Sequence, residues 1–491
     1  MALTFPNSKK VFQMKNKKKT SIFALLLCVL LLSGCANTVM PTAEQDESKS
    51  GQQKIDELVE NLPENVEYVG RTLTVLTSDK TKFLYDETAA GTVKNAVRAR
   101  GEALKLAYDM ELTAVSCKEE GAIAVLQEAE KAGVPVADVL CFSAETSVAL
   151  QLQGLLADLN TLPNFNPALS ETAAAGAKEL SCGKSLYLLP ETCALPYDEA
   201  YALFYNRDLV RAAGLALPES EVKAGNWTFT KCKTYIETVA SGVMSKSSYD
   251  YASDLFGLGC TDNKGLLPDL LRQSAGLRMF TAESGILKFA TDYGTLNEVA
   301  ATPKALYASP AHYPIDGNDP REAFESGRLG FYIEKLPYLY TLSDGCSFEY
   351  GIVPLPKLNA ASSEIEGSNV YYTPISQKAS LFSVPKLQND AGLSGLALTA
   401  FCTTGGDAFS ENEITTLITL CARDNDQSCM IETIVNGLSF DFGTVYGAQI
   451  TQVKSLSSGM FTEVFANGAA FRNEINEKIA AFEKFVDQNF S

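Results

Sequence analysis

One histidine, His312, stands among 491 residues, beside twelve cysteines and 59 Asp and Glu. A lone imidazole excludes any site that needs two, the H-E-x-x-H zinc motif included. The chain has no G-x-S-x-G, no Walker motif, no C-x-x-C and no Cys/His cluster, and Gly257-Leu258-Gly259 lacks the rest of a dinucleotide fingerprint. That argues against an elbow serine, a phosphate loop, zinc and a nicotinamide or flavin site. What remains is carboxylates, hydroxyls and the rings of 20 Tyr and 25 Phe: acceptors for hydroxyl donors, and flat apolar faces for stacking. Two carboxylates would suffice for glycoside hydrolysis, and spacing in one sequence does not single out such a pair. The formal charge of −18 argues against tracking nucleic-acid phosphates.

Such side chains act only where backbone elements gather them. Residues 71–77 (RTLTVLT) alternate and are β-branched, which predicts a first strand, broken by Ser78-Asp79-Lys80. Helical spacing follows over 93–108, a second strand over 112–116, and a helix over 122–131 with Gly133 and Pro135 as its stop. A continuous apolar strand is predicted over 137–142. Strand and helix alternate, so the first lobe is α/β with right-handed crossovers. Further strands are predicted at 185–189, 201–205, 329–333, 348–354, 369–374 and 381–384, with 240–320 a long helical and loop region. Thr228 is expected to cap a helix through Val239, Asn389-Asp390 one through Cys402, and an amphipathic helix is expected over 471–485. Trp227, before its cap, is read as a core residue rather than a sugar-stacking one. His312, in the turn-rich SPAHYPIDG, is read as a surface residue.

The N-terminus has its own pattern. Lys15 and Lys17–Lys19 precede an eleven-residue apolar run, Ile22–Leu32, too short to span a bilayer, and Leu32-Ser33-Gly34-Cys35 closes it. The segment resembles a bacterial lipoprotein signal, which implies removal of residues 1–34 and diacylation of Cys35; Met14 is an alternative start. The remaining 457 residues would carry 35 Lys and Arg against 59 acids, a formal charge of −24. Two acyl chains anchor stably where one does not. Residues 35–65 are read as a flexible tether, with a short helix near Lys54 outside any core. Ten cysteines then remain, and an exported compartment permits disulfides. Cys182/Cys193 and Cys421/Cys429 are closely spaced, and Cys117 and Cys141 end neighbouring strands; small buried thiols are the other reading.

The order of these segments over roughly 380 residues resembles the family 1 extracellular solute-binding proteins, receptors of bacterial ABC importers most often for sugars and oligosaccharides. The residues that carry the resemblance are TLTVLTSDK, LPYDEAYALFYNRDLVRAAG, NWTFTKCKTYIE, AFESGRLGFYIEKLPYLY and FEYGIVPLPKL, with SFDFGTVYG similar to a closing cleft segment. The resemblance implies a type II periplasmic-binding-protein-like fold: an α/β lobe 1 (66–195 plus 365–408) and lobe 2 (196–364 plus 409–491), joined by hinge crossings. Ligand held between them biases the hinge toward closure. It implies no cofactor, no metal and no enzymatic activity, but a monomer that delivers a small solute to permease subunits from a lipid anchor on the extracytoplasmic face of the membrane.

In α/β lobes, ligand groups cluster beyond the carboxyl ends of strands. This points to Ser78, Asp79 and Ser143 in lobe 1, and to Glu334, Lys335 and Tyr338 in lobe 2. The resemblance adds Tyr197 and Asp198 at the first crossing and Tyr446 in the last segment. The expected ligand is a carbohydrate; a peptide or other polar metabolite, a lipid-anchored glycoside hydrolase and an adhesion lipoprotein are the alternatives.

Overall fold

A computed structural model describes residues 51–489, apart from 61, 65–67, 86–92, 170, 192–195, 262–265, 283–284, 292, 315–316, 360–369 and 460–473. The signal, Cys28, Cys35, most of the expected tether and Cys193 lie outside the described residues.

The predicted alternation folds into a five-stranded sheet of order β2-β1-β3-β12-β4. Its members are β1 (Thr72–Thr77), β2 (Glu111–Ser116), β3 (Val139–Ser143), β4 (Leu189–Pro190) and β12 (Ser380–Ser383). β1 runs parallel to β2 and β3, and β12 lies antiparallel to β3, with Ser380 opposite Ser143. Val139–Phe142 are all buried, as a strand covered on both faces must be. The helix Val93–Tyr108 links β1 to β2, and Ala122–Ala132 links β2 to β3. The second ends as read: Gly133 adopts φ +65°, and its N–H reaches the Ala129 and Glu130 carbonyls. Of the strand expected at 185–189 only its end pairs, because Cys182 and Ser185 close a tight turn on each other.

A second sheet has the order β10-β5-β9-β6: β5 (Tyr201–Asn206), β6 (Phe256–Cys260), β9 (Leu329–Lys335) and β10 (Tyr350–Val353). β5 is antiparallel to β9 and β10, whereas β6 is parallel to β9. β6 falls inside the stretch expected to be helix and loop. Two short pairs complete the strands: β7 (Phe280–Thr281) with β8 (Lys288–Phe289), and β11 (Thr373–Pro374) with β13 (Leu438–Ser439).

Each sheet has its own hydrophobic core. The first draws on Ile55–Leu189, Met279–Ala300, Ile375–Cys402 and Phe440–Phe482; the second on Tyr197–Leu271, Leu306–Leu355, Tyr371 and Leu417–Val435. Among the described residues the chain therefore passes between cores six times. Phe280, Leu296 and Val299 pack on the first core, as do Phe442, Tyr446, Val453 and Phe482. The tether expectation also changes: in the helix Gly51–Glu60 and just beyond it, Ile55, Leu58 and Leu62 at i, i+3, i+7 form one buried face on the first core. The helix capped by Asp390 continues past Cys402 to Cys421, and thereby runs from the first core to the second.

Trp227 is fully buried in the second core, edge-on to Tyr235 at 5.4 Å, and its indole N–H donates to the Pro354 carbonyl at 3.1 Å. His312 is half-buried rather than a free surface residue: its ring lies tilted 4.9 Å from that of Tyr307, and its backbone bridges the β6 residue Leu258. No disulfide forms among the described residues; Cys117, Cys141, Cys182 and Cys421 keep thiols, so the 117/141 and 421/429 pairings are unmade. No described helix is long and apolar enough to cross a membrane.

Candidate functional site

Parallel pairing brings the ends of β1 and β3 to one edge of the first sheet, and antiparallel β12 starts there. Ser78 and Ser143 meet at that edge through a residue not singled out from sequence, Glu119. One carboxylate oxygen accepts from Ser78 Oγ at 2.9 Å and from Ser143 N–H at 3.2 Å; the other accepts from Ser143 Oγ at 2.9 Å. Ser143 also caps the helix Ala144–Leu152, accepting from Thr146 N–H at 3.2 Å. Asp79 accepts from Thr81 N–H (2.9 Å) and Thr81 Oγ1 (2.6 Å), capping the turn Lys80–Lys82. That turn points Lys82 along the edge, where its Nζ lies 3.0 Å from the buried carboxylate of Glu191 and donates to Ser380 Oγ at 3.2 Å. Burial opposes the ammonium charge, but Glu191 outweighs it and holds Lys82 above the ordinary lysine range. Glu119 follows β2 as Ser78 follows β1, so the strand-end rule applied to all three strands would have named it.

The second sheet presents one edge in the same way. β5 starts at Tyr201 opposite Lys335, the last residue of β9, and β6 ends beside them with Cys260 opposite Ile333. Glu334 Oε2 accepts from Thr261 Oγ1 (2.8 Å) and Tyr332 OH (2.9 Å), and its other oxygen accepts from Lys335 N–H (2.9 Å). Lys335 Nζ lies 2.5 Å from Glu199, whose same oxygen accepts from Ser376 Oγ. Ser376 N–H also donates to the Glu199 carbonyl at 2.9 Å, and Ala200 bridges Ile375. Glu199 therefore ties two of the crossings to the end of β9.

Asp198 directly precedes Glu199 in the turn Pro196–Glu199. It is exposed, and among the described residues it accepts no hydrogen bond. Loss of solvent to the surrounding protein is the main cause that raises its carboxyl above the usual range. The lysines on either side, Lys82 and Lys335, pull it down, while Glu199 and Glu191 push it up. Asp198 thus feels charges from both sheet edges at once.

Three expected residues are placed otherwise. Tyr338 is buried in the second core; its hydroxyl donates to Glu325 at 3.0 Å, and the Arg321 guanidinium sits 4.7 Å over its ring. Tyr446 is buried in the first core, stacked on Phe442 at 4.2 Å, with its hydroxyl donating to the Leu180 carbonyl at 3.3 Å. Tyr197 is buried at the start of the second core. In each case a ring near a strand end serves packing. The exposed aromatic residues among those described are Tyr85, Tyr340 and Tyr372. Tyr85 lies three residues beyond Lys82, and Tyr372 directly precedes β11 with the Arg278 guanidinium 5.1 Å over its ring.

Among the described residues no group of three His, Cys, Asp or Glu is arranged to hold a metal ion. Two surface hollows of about 470 and 570 Å³ lie elsewhere, one at Ser245–Asp254 and the other at Tyr340–Asp344 with Leu420. Neither is lined by the residues of the sheet edges. Chemically, the edges offer carboxylates, hydroxyls and paired ammoniums, suited to hydrogen-bonding a polyhydroxylated solute.

No family model matches the sequence, and no curated protein is similar to it. Solved structures share its fold at low identity. The cyclic α-maltosyl-1,6-maltose binding protein of Arthrobacter globiformis is 16% identical with a TM-score of 0.54, the match covering 85% of this chain and 99% of that one. A sugar transporter protein of Rhizobium etli in an open conformation gives 15% and 0.53, covering 84% and 99%. A family 1 extracellular solute-binding protein of Bifidobacterium longum subsp. infantis gives 13% and 0.52, covering 84% and 99%. The chain thus shares its α/β fold with these solute-binding proteins over 84–85% of its own length and 99% of theirs.

Proposed function

We propose that this chain is the extracytoplasmic solute receptor of an ABC importer, capturing a carbohydrate or oligosaccharide between its two sheet edges and passing it to permease subunits. The observation that carries the reading is the convergence on Asp198 and Glu199 of polar edges from two sheets, each on a separate core. A solute that touches both edges adds its contact energy to the arrangement in which they are close. It shifts the hinge population by the difference in affinity between the open and closed forms. The fold shared with the Arthrobacter and Rhizobium proteins supports this reading.

The ligand residues under this reading are Ser78, Asp79, Ser143, Asp198, Glu334 and Lys335, joined by Glu119 and Glu199. No cofactor, metal or chemical step is required. The charge block, apolar run and Cys35 support a lipid anchor on the outer face of the membrane. Replacing Cys35 by Ala is expected to abolish acyl incorporation, seen as loss of the diacyl mass increment.

Thermal unfolding against a panel of saccharides tests the receptor function. Ligand that binds only the folded state raises the melting temperature, by about 2.7 kcal/mol of added stability at a hundredfold excess over Kd. The expected result is a shift with one saccharide class and no product on chromatography. Product release, or no shift with any saccharide, overturns it.

A further inference from the structure

One residue closed to solvent supports the first sheet edge. Arg100, on the helix Val93–Tyr108, is fully buried. Its guanidinium lies 5.4 Å from the ring of Phe83 and 5.3 Å from that of Phe401, two rings 5.7 Å apart, and its Nη2 donates to the Lys82 carbonyl at 2.5 Å. Phe83 directly follows the turn Lys80–Lys82 and donates its N–H to the Lys80 carbonyl at 3.0 Å. Phe401 stacks on Phe382 of β12 at 5.4 Å. Arg100 thus joins the turn to the sheet and to the helix Ala391–Cys421.

Burying a guanidinium costs solvation that only partners return. Here its planar group lies against aromatic rings while one N–H reaches a carbonyl, an arrangement that a lysine ammonium does not reproduce. The carbonyl it fixes belongs to the residue whose side chain runs along the edge. Lys82 carries three N–H donors. Two go to Glu191 at 3.0 Å and Ser380 Oγ at 3.2 Å; among the described residues the third has no acceptor, and the side chain is 24% exposed. Glu119 and Asp79 at the same edge only accept. A solute oxygen without a hydrogen, such as a ring or glycosidic oxygen, therefore finds its donor in Lys82.

We propose that Arg100 is the positioning residue of the first sheet edge: by holding the Lys82 carbonyl it aims the Lys82 ammonium at the solute, which Arg100 itself never touches. This rests on the receptor reading and adds Lys82 to the residues that meet the solute.

The test is amine footprinting of the full-length protein in detergent, without ligand. An acyl ester attacks only a neutral amine, and Glu191 holds Lys82 protonated, so this lysine reacts slowly in the parent. Arg100→Met keeps a side chain of similar length and removes the donor and the planar charge. Its Lys82 is expected to be acylated about tenfold faster, read by mass spectrometry of the peptide. Lys378, which is exposed, and Lys357, buried in the second lobe, are expected to keep their rates within about twofold. Arg100→Lys, which keeps a charge without a planar group, is expected to release Lys82 likewise, and takes the place of Arg100→Met should that variant not fold. In calorimetric titration with maltotriose and cellotriose, whichever binds the parent is expected to bind the variant about tenfold more weakly.

Lys82 acylated at the parent's rate in a folded variant overturns the proposal. A rise at Lys357 as large as that at Lys82 does so too, because Arg100 then serves only the stability of the fold. An unchanged affinity beside a released Lys82 overturns the link to the solute. Binding of neither trisaccharide to the parent counts against the receptor reading, while the acylation rates, which need no ligand, still decide whether Arg100 holds Lys82.

Discussion

Tyr446 gives its hydroxyl to the Leu180 carbonyl and its ring to Phe442, while Tyr338 gives its hydroxyl to Glu325 and its ring to Arg321. Neither has a face left for a solute. Tyr446→Phe and Tyr338→Phe are each expected to cost about 1 kcal/mol in denaturant titration, with saccharide affinity unchanged within twofold. Tyr446→Ala, which empties a fully buried site, should cost about 3–5 kcal/mol. His312 carries the pH prediction. Burial lowers its imidazole from the ordinary 6.5 to about 4, and its Nε2 is enclosed without a hydrogen-bond partner among the described residues. Below pH 6.5 the unfolded chain protonates this residue and the folded one does not, so the unfolded state binds the extra proton. Its contribution is complete above pH 6.5 and declines as pH falls toward 4, by roughly 3 kcal/mol at most. Stability measured from pH 7 to 4 should therefore fall less steeply in His312→Phe than in the parent.

The helix Ala391–Cys421 shows how an element is started and seated. Asp390 accepts from Gly392 N–H at 2.9 Å and Leu393 N–H at 3.1 Å, and Asp390→Ala should cost about 1 kcal/mol. One turn on, a Cβ at Gly395 would lie 2.0 Å from the Pro163 carbonyl oxygen, so the helix rests directly on backbone. Gly395→Ala is expected to be the more damaging change, at about 1–3 kcal/mol in the same titration, because a carbonyl cannot swing away as a side chain does. Both residues sit in a helix whose start and cap were legible in the sequence, as were the β1, β3, β5 and β9 patterns. Strand β6 was not. Its sequence, FGLGC, places glycines where strand formers belong, and they are required by contact: a Cβ at Gly257 would meet Ile236, and one at Gly259 would meet Leu329. The face of Ile55, Leu58 and Leu62 was likewise hidden, because a short amphipathic segment gives no sign of the core it joins. At the site, strand ends were legible as positions, and Ser78, Asp79, Ser143, Glu334 and Lys335 follow from them, whereas Asp198 came from the resemblance. Which rings turn inward is decided by packing from segments hundreds of residues away, as Phe442 and Leu180 decide Tyr446.

At the scale of the molecule, two cores joined by six passages predict a body that bends at its crossings. Addition of the bound saccharide should reduce the radius of gyration measured by X-ray scattering, and an unchanged radius would count against hinge closure. The same passages make both cores depend on distant parts of the chain. Phe280 packs against Phe442 at 5.4 Å and Phe482 at 5.0 Å, so deletion of residues 475–489 should lower the melting temperature and expose dye-binding apolar surface. During synthesis this has a temporal meaning. The first core begins at Ile55 and is completed only by Phe482, and the second waits for Met430–Val435. A ribosome that has made four-fifths of the protein therefore holds a chain with neither core finished. Long-range closure of this kind is slow, because the entropy of distant pairing must be overcome first. The late elements thus set an order: the second core cannot be complete before Val435 has been made, nor the first before Phe482.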